Sequence, residues 1–243
     1  MRVCVFVGPT LPVSDARRIL DATYLPPVSQ GDVYRVACLQ PFAIGIIDGY
    51  FEAVPSVWHK EILWAMSRGI CVYGSASMGA IRAAELAAFG MKGVGKVFEA
   101  FRDSATEDDD EVAVLHAPAE RNYASISVAM INIRATVATA VAANVLTAAS
   151  GLQLERIAKE LFYPERCYEE ILSCGIKRGV RRDEVESFRK WLPCGQVDQK
   201  QEDAVAMLRA IRSDINNNRK NEPVSYRFEP TLAYAAMMDR ERR

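Results

Sequence analysis

Histidine is scarce in this sequence, and the cysteines do not form a recognisable motif. The chain contains two histidines, His59 and His116, and none of its six cysteines stands in a C-x-x-C pair. A zinc or redox site built from closely spaced histidines and cysteines is therefore not expected. A Ser-His-Asp triad is limited to the same two histidines. We expect a protein that uses no metal and no other cofactor.

Long hydrophobic runs and a strong net charge are also lacking. The first apolar run, residues 3–7, is too short for the core of a signal peptide. No run approaches the roughly 18 to 20 apolar residues of a membrane span. The formal net charge of -1 argues against bulk binding to nucleic acid or to anionic membranes. We therefore expect a cytoplasmic protein whose partners include neither nucleic acid nor a membrane.

The first third of the chain alternates between continuous apolar runs and helical patterns. The predicted strands are residues 3–7, 43–47 and 70–73, and the predicted helices are residues 14–20, 57–68 and 78–90. Fully apolar strands that alternate with helices are typical of a buried parallel sheet. The sequence therefore predicts an α/β fold, with a mainly parallel N-terminal sheet flanked by helices.

The remainder of the chain is predominantly helical in pattern. Residues 126–149 predict one long buried helix, and further helices are predicted at residues 154–161, 168–173, 183–191 and 202–211. Before them, the acidic run 107–111 is expected to be a solvated turn, followed by a strand-like segment at 112–115. We expect an α/β core over residues 1–125, with a helical region over residues 126–243 packed on it.

Three turns follow the three predicted strands. They are Gly8-Pro9-Thr10, Asp48-Gly49-Tyr50 and Gly74-Ser75-Ala76-Ser77. Ligands of parallel sheets bind at the carboxyl ends of the strands. We therefore expect the three turns to meet at one edge of the sheet and to form a site there.

Ser77 lies in a strand-turn-helix segment, a place that suits a nucleophile. Free N–H groups and the dipole of a helix N-terminus favour the negative charge of a tetrahedral intermediate. The segment is similar to the nucleophile elbow of esterases, although Ser75 occupies the first position of their G-x-S-x-G. The alternative is an N-cap serine among small residues that allow close packing. A nucleophile needs a base, and Lys60 can serve if it is neutral, whereas most helical lysines are simply solvated.

Several blocks in sequence order resemble those of TfuA-like proteins. The blocks are residues 8–11, 31–34, 47–51, 57–62 and 74–86, and the segment 109–113, which begins with three acidic residues, also fits. The resemblance covers about residues 1–115 strongly, and the blocks around Lys60 and Ser77 are the most specific. The resemblance implies a Ser-Lys active site formed by these two residues, with Ser75 as a weaker candidate nucleophile.

The same resemblance implies a role in peptide-backbone thioamidation. TfuA-like proteins accompany YcaO-domain enzymes, which activate a peptide amide with ATP so that sulfur can replace its oxygen. They are understood to hydrolyse the C-terminal thiocarboxylate of a ThiS-like carrier protein and to release sulfide to the YcaO partner. They also help that partner to engage its peptide. The expected partners are therefore a YcaO enzyme, a ThiS-like carrier and a peptide substrate.

The residues around the pair are expected to hold the substrate. We expect the Met78 N–H to bind the oxyanion, together with a second donor from the turn between Gly8 and Thr10. Gly8, Gly49 and Gly79 allow close backbone approach of the carrier tail. Arg82 is expected to offset the charge of the thiocarboxylate.

Three of these residues have an equally ordinary structural interpretation. Arg82 is also placed to form an ion pair with Glu85, three residues further along the helix. Asp48 and Tyr50 are expected to orient Lys60 or to bind the tail of the carrier. Alternatively, they are a turn aspartate and a packing tyrosine.

Two other functions are compatible with the sequence. In the first, the protein is an adaptor without catalytic activity, which docks its partners through the basic residues 177–182. In the second, it is an unrelated serine hydrolase that acts on a small ester or amide. The adaptor does not require Ser77, and the small-molecule hydrolase does not require a carrier protein.

Overall fold

The chain folds into two compact units. The computed structural model describes residues 2–51, 54–218 and 223–241. The first unit comprises Met1–Glu107 and Gln201–Arg243, and the second comprises Asp108–Lys200. This division differs from the expected break after residue 125, because residues 201–243 belong to the first unit.

The first unit contains a five-stranded parallel sheet. Its strands are β1 (Val3–Phe6), β2 (Thr23–Leu25), β3 (Ala43–Ile46), β4 (Cys71–Ser75) and β5 (Lys92–Val94), in the spatial order β2-β1-β3-β4-β5. Every residue of β1, β3 and β4 is buried, which explains their continuous apolar sequence. The predicted α/β class and its three central strands are confirmed. The edge strands β2 and β5 are only three residues long and partly exposed, too short to give a periodic pattern.

Seven helices accompany this sheet in the described part of the first unit. They are α1 (Val13–Ile19), α2 (Asp32–Cys38), α3 (His59–Ser67), α4 (Met78–Leu86), α5 (Lys96–Arg102), α10 (Gln199–Asn216) and α11 (Leu232–Glu241). Met207, Leu208 and Ile211 of α10 share one buried hydrophobic cluster with residues of β1, β3 and β4. The late helix α10 is therefore part of the core that supports the sheet. No helix in the described ranges is both long enough and apolar enough to cross a membrane.

The second unit contains four helices around its own hydrophobic core. They are α6 (Met130–Ala142), α7 (Ala148–Glu160), α8 (Tyr168–Lys177) and α9 (Arg182–Gly195). The single long helix expected over residues 126–149 is wrong, because α6 ends before Asn144, which has a φ of 56°. A new helix, α7, then begins after its N-cap residue Thr147, whose side chain accepts a hydrogen bond from the Ser150 N–H.

The acidic run before α6 is a structural ion-pair cluster. Residues 109–111 form a short 3-10 turn, and Glu111 is only 2% exposed. Its carboxylate accepts two hydrogen bonds from the Arg134 guanidinium, at 2.9 and 3.0 Å, and lies 2.9 Å from Lys159 Nζ. The solvated turn expected here is therefore wrong for Glu111. The strand expected at 112–115 is also wrong, since these residues have no strand assignment and only the isolated bridge His116–Ser125 follows them.

Glu184 in α9 gives the stability of this unit a predictable pH dependence. Burial opposes ionisation of its carboxyl, but hydrogen bonds from Ser150, Thr147 and Arg181 outweigh burial and lower its pKa to about 2. The unfolded chain therefore takes up this proton at a higher pH than the folded protein does. We expect the wild type to have a larger unfolding free energy than Glu184→Gln. This difference should be largest above pH 4.5 and should decrease as the pH falls towards 2. Urea denaturation between pH 3 and pH 7 measures it. Glu186→Gln, on the exposed part of α9, is the control, and a difference independent of pH would contradict the prediction.

Candidate active site

The three turns that follow β1, β3 and β4 meet at one edge of the sheet, as predicted. The strands are neighbours and run parallel, so their carboxyl ends lie side by side. The Asp48 side chain contacts the turn after β1, and a Cβ atom at Gly49 would lie 2.8 Å from Met78 Cγ at the start of α4, directly after the turn that ends β4. The middle turn therefore contacts the segments on both sides of it.

Asp48 holds the turn between β1 and α1. Its carboxylate is 1% exposed, and Oδ2 accepts hydrogen bonds from the N–H groups of Gly8 (2.8 Å) and Thr10 (3.1 Å). Its Oδ1 accepts a third bond from the Thr10 hydroxyl, at 2.6 Å. Both carboxylate oxygens are thus used by this turn rather than by Lys60. The amides of Gly8 and Thr10 already have an acceptor, and Pro9 has no N–H, so the second oxyanion donor must be sought elsewhere.

Ser77 follows a strained turn at the end of β4. Ala76 has a φ of +65°, and the Ser77 N–H donates to the Ser75 carbonyl across it, at 2.7 Å, which closes a γ-turn. A non-glycine residue with positive φ costs free energy, and such strain is concentrated at functional sites. The strain places Ser77 directly before α4 as its N-cap residue.

The Ser77 hydroxyl is buried but has no hydrogen-bond partner among the described residues. The residue is 3% exposed, and its side chain forms no capping hydrogen bond with α4. Within the described ranges, Tyr234 Oη is the one completely enclosed side-chain polar atom without a partner. The Ser77 hydroxyl therefore retains a small opening to solvent. A buried, unpaired and accessible hydroxyl suits a nucleophile better than an N-cap.

The backbone N–H groups at the start of α4 differ in whether they have a hydrogen-bond acceptor. The Gly79 N–H donates to the Ile47 carbonyl at 3.2 Å, and the Ala80 N–H donates to the Ser77 carbonyl at 2.9 Å. No described residue accepts a hydrogen bond from the Met78 N–H. Since this N–H follows Ser77 directly, it has the position expected of an oxyanion donor.

Ser75 differs from Ser77 in its environment. It is completely buried within β4, and its hydroxyl donates to the Val94 carbonyl at 2.8 Å. This bond joins the ends of β4 and β5. The Ser75 hydroxyl is therefore part of the sheet, which leaves Ser77 as the better candidate nucleophile.

Lys60 lies in the first turn of α3, where a distant segment of the chain covers it. Its Nζ donates to the Glu229 carbonyl at 2.9 Å and lies 5.4 Å from the centre of the Phe228 ring. Tyr226, in the same segment, donates its hydroxyl to the Leu63 carbonyl of α3 at 2.6 Å. A carbonyl oxygen and an aromatic face are typical partners of an ammonium group. Within the described residues, no hydrogen bond joins Lys60 to Ser77.

Arg82 forms the ion pair that its spacing allows. Its Nη1 lies 2.7 Å from Glu85 Oε2, and its Nε donates to the Val57 carbonyl at 3.1 Å. His59 Nε2 lies 2.8 Å from the same Glu85 oxygen. Burial acts to raise the pKa of Glu85, but the hydrogen bonds from His59 and Arg82 outweigh it and lower that pKa. These contacts join the start of α3 to α4. No group of three or more His, Cys, Asp or Glu side chains is placed to hold a metal in the part of the chain that the structure describes.

Tyr50 continues the turn that Asp48 begins. It is half-buried, and its N–H donates to the Val28 carbonyl at 3.2 Å. This bond attaches the turn after β3 to the segment after β2. The backbone of Tyr50 thus has a structural role at the same edge of the sheet.

Glu61 is a buried acid whose role the sequence analysis did not identify. Its carboxylate accepts hydrogen bonds from the N–H groups of Gly31 (2.9 Å), Tyr34 (3.3 Å) and Trp58 (3.2 Å). Burial raises its pKa despite these bonds. Glu61 thereby joins the N-termini of α2 and α3 and positions the helix that carries Lys60. The available signal was its place at the third position of a helix, where acids form capping boxes.

Gly79 permits the close contact that positions the site. A Cβ atom there would lie 1.8 Å from the Ile46 carbonyl oxygen, which is part of the backbone. We expect Gly79→Ala to lower the unfolding free energy by at least about 3 kcal/mol, because the helix must move away from the sheet. Gly90→Ala is the control, since it has a φ of +102° but no neighbouring atom within 4 Å, and should cost about 1 kcal/mol. Equal effects of the two substitutions in urea denaturation would contradict this account.

Comparison with known protein families matches the part of the chain that contains both candidate catalytic residues. The model of the family described as TfuA-like protein matches residues 48–167. The match begins later than the resemblance over residues 1–115 and continues into the second unit. No curated protein matches the chain. The family match and the motif blocks around Lys60 and Ser77 agree, and both support the TfuA-like protein family.

Proposed function

We propose that this protein supports YcaO-dependent peptide thioamidation by hydrolysing a thiocarboxylated ThiS-like carrier and releasing sulfide. In this proposal it also helps the YcaO partner to engage its peptide. Membership of the TfuA-like family is consistent with the thioamidation role. The observation that carries the hydrolytic step is the unpaired, buried hydroxyl of Ser77, which lies beside the free N–H of Met78.

The proposed reaction uses Ser77 as the nucleophile and Lys60 as the base. A neutral Lys60 takes the proton of the hydroxyl, and the oxygen attacks the carbon of the thiocarboxylate. The Met78 N–H stabilises the negative oxygen of the tetrahedral intermediate. The carbon–sulfur bond then breaks, and sulfide leaves with the proton from Lys60. Water hydrolyses the resulting ester and returns the carrier with a carboxylate and Ser77 with its hydroxyl.

The proposal requires Lys60 to exchange one hydrogen-bond partner for another. Its Nζ must leave the Glu229 carbonyl and the Phe228 ring and reach the hydroxyl of Ser77. The contact between Arg82 and the Val57 carbonyl supports this step, because it holds the start of α3 against the helix that follows Ser77. Entry of the carrier tail is the event that we expect to displace residues 226–229 from Lys60.

Arg82 is our candidate for balancing the charge of the substrate. A thiocarboxylate is anionic, and its charge opposes attack by an oxygen nucleophile. The Arg82 side chain is 12% exposed and lies in the second turn of the helix that begins after Ser77. Its guanidinium group is already paired with Glu85. We therefore propose that Arg82 stabilises the thiocarboxylate through its positive charge without contacting it directly.

Substitution of the two proposed catalytic residues tests the reaction. We expect wild-type protein to convert a thiocarboxylated ThiS-like carrier to the carboxylate, as followed by intact-protein mass spectrometry. Ser77→Ala and Lys60→Ala should each lower the rate at least about 10³-fold, because each removes a member of one catalytic unit. Ser67→Ala, at the end of α3, and Lys177→Ala, in the second unit, are matched controls that should keep the rate within about twofold.

The other outcomes separate the competing functions. A wild-type protein that leaves the thiocarboxylate intact, even with the YcaO partner present, would contradict the hydrolase and favour an adaptor. In that case Lys177→Ala, within the basic residues 177–182, should weaken thioamidation while Ser77→Ala should not. Turnover of p-nitrophenyl acetate without turnover of the carrier would instead favour a small-molecule hydrolase.

A further inference from the structure

The peptide bond between Asp48 and Gly49 has a defined direction. The Asp48 carbonyl accepts a hydrogen bond from the Val28 N–H at 2.9 Å, and the Tyr50 N–H donates to the Val28 carbonyl at 3.2 Å. The peptide bond is trans, so its N–H points opposite to its carbonyl. The Gly49 N–H therefore points away from Val28.

The direction opposite to Val28 is the side of the turn on which the strand before Ser77 lies. Val28 lies on the β1 side of this turn, and β4 lies on the other side of β3. The Gly49 N–H thus points to the side of the turn on which β4 lies. A Cβ atom at Gly49 would lie 2.8 and 2.9 Å from Met78 Cγ and Cβ and 3.1 Å from Val28 Cγ1, so the Met78 side chain packs against Gly49. No described residue accepts a hydrogen bond from the Gly49 N–H.

Two neighbouring groups at the start of α4 are available to a substrate atom. Ser77 is 3% exposed and its hydroxyl has no hydrogen-bond partner among the described residues, and the adjacent Met78 N–H is also without an acceptor within those ranges. A hydroxyl and an amide that are adjacent in the chain can contact the carbon and the oxygen of one acyl group. The alternative donors in this region, the Gly8 and Thr10 amides, are bound to Asp48.

We propose that the Gly49 N–H is the second oxyanion donor of this site and acts together with the Met78 N–H. The inference rests on the proposed hydrolysis at Ser77. The ligand is the carbonyl-type oxygen of an acyl group at the C-terminus of the carrier, which becomes negative when Ser77 attacks. No proton is transferred by either amide, and each donates a hydrogen bond that strengthens as charge accumulates.

The donor is fixed before the substrate binds. The Asp48 carbonyl is bonded to Val28, and the Asp48 carboxylate is bonded to the turn after β1, so the peptide that carries the Gly49 N–H is held from two sides. An N–H that is already oriented needs no reorganisation during the reaction. Asp48 is accordingly a positioning residue for Gly49 rather than a ligand of the substrate.

Replacement of one backbone atom tests the inference, because alanine at residue 49 would collide with Met78. Glycolic acid can be incorporated at residue 49 of the full-length chain by ribosomal translation, which replaces the N–H with an ester oxygen. The matched control is the same amide-to-ester change at Tyr50, whose N–H donates to Val28. We expect the ester at residue 49 to lower kcat for the thiocarboxylated carrier by about 10²- to 10³-fold without a change in KM. The unfolding midpoint should fall slightly, because the Asp48 carbonyl that accepts the Val28 N–H becomes a weaker ester acceptor. The ester at residue 50 should lower kcat less than about tenfold.

The outcomes distinguish this inference from the function on which it rests. If the ester at residue 49 retains kcat within a few-fold while Ser77→Ala abolishes turnover, the second donor is not Gly49 and the hydrolase stands. Equal losses for the two esters, with equally lowered unfolding midpoints, would show a structural role and overturn the inference. If the wild-type protein itself does not hydrolyse the carrier, both the inference and the proposed function are wrong.

Discussion

The backbone contact between α4 and the end of β3 is the constraint on which the candidate site depends. Gly79 lets the helix approach until its N–H reaches the Ile47 carbonyl, and a single methyl group there would overlap with the backbone of Ile46. The approach brings Met78, the residue after Ser77, against Gly49. The candidate nucleophile and its nearby amides are therefore positioned by backbone atoms, which have little freedom to move.

Buried carboxylates supply the second part of this organisation. Asp48 binds the N–H groups of the turn after β1, and Glu61 binds those at the starts of α2 and α3. Both acids satisfy backbone donors that would otherwise be buried without acceptors. The polar groups left unpaired at this edge of the sheet, among the described residues, include the Ser77 hydroxyl and the amides of Met78 and Gly49. Lys60, in contrast, is engaged by residues 228 and 229. The candidate nucleophile is thus held in place, whereas the candidate base must move before it can reach Ser77.

The central strands and the meeting of their turns could be predicted from sequence, because buried parallel strands are continuously apolar and their carboxyl ends share one edge. The helix break at Asn144 could not be predicted, since the alanine-rich sequence on both sides of it is typical of a helix. The contact of Lys60 with Glu229 joins residues 169 positions apart, which no local pattern encodes. The direction of the Gly49 N–H likewise follows from pairing with Val28, a residue outside any predicted strand.

The most direct test of this account is to identify the reactive serine. The wild-type protein would be treated with an alkyl fluorophosphonate, which forms a stable adduct with an activated serine hydroxyl, and the adduct would be located by peptide mass spectrometry. The account predicts one adduct, on Ser77, which is absent from Ser77→Ala and strongly reduced in Lys60→Ala. An adduct on Ser75 or on another serine, or no adduct on the wild-type protein, would contradict it.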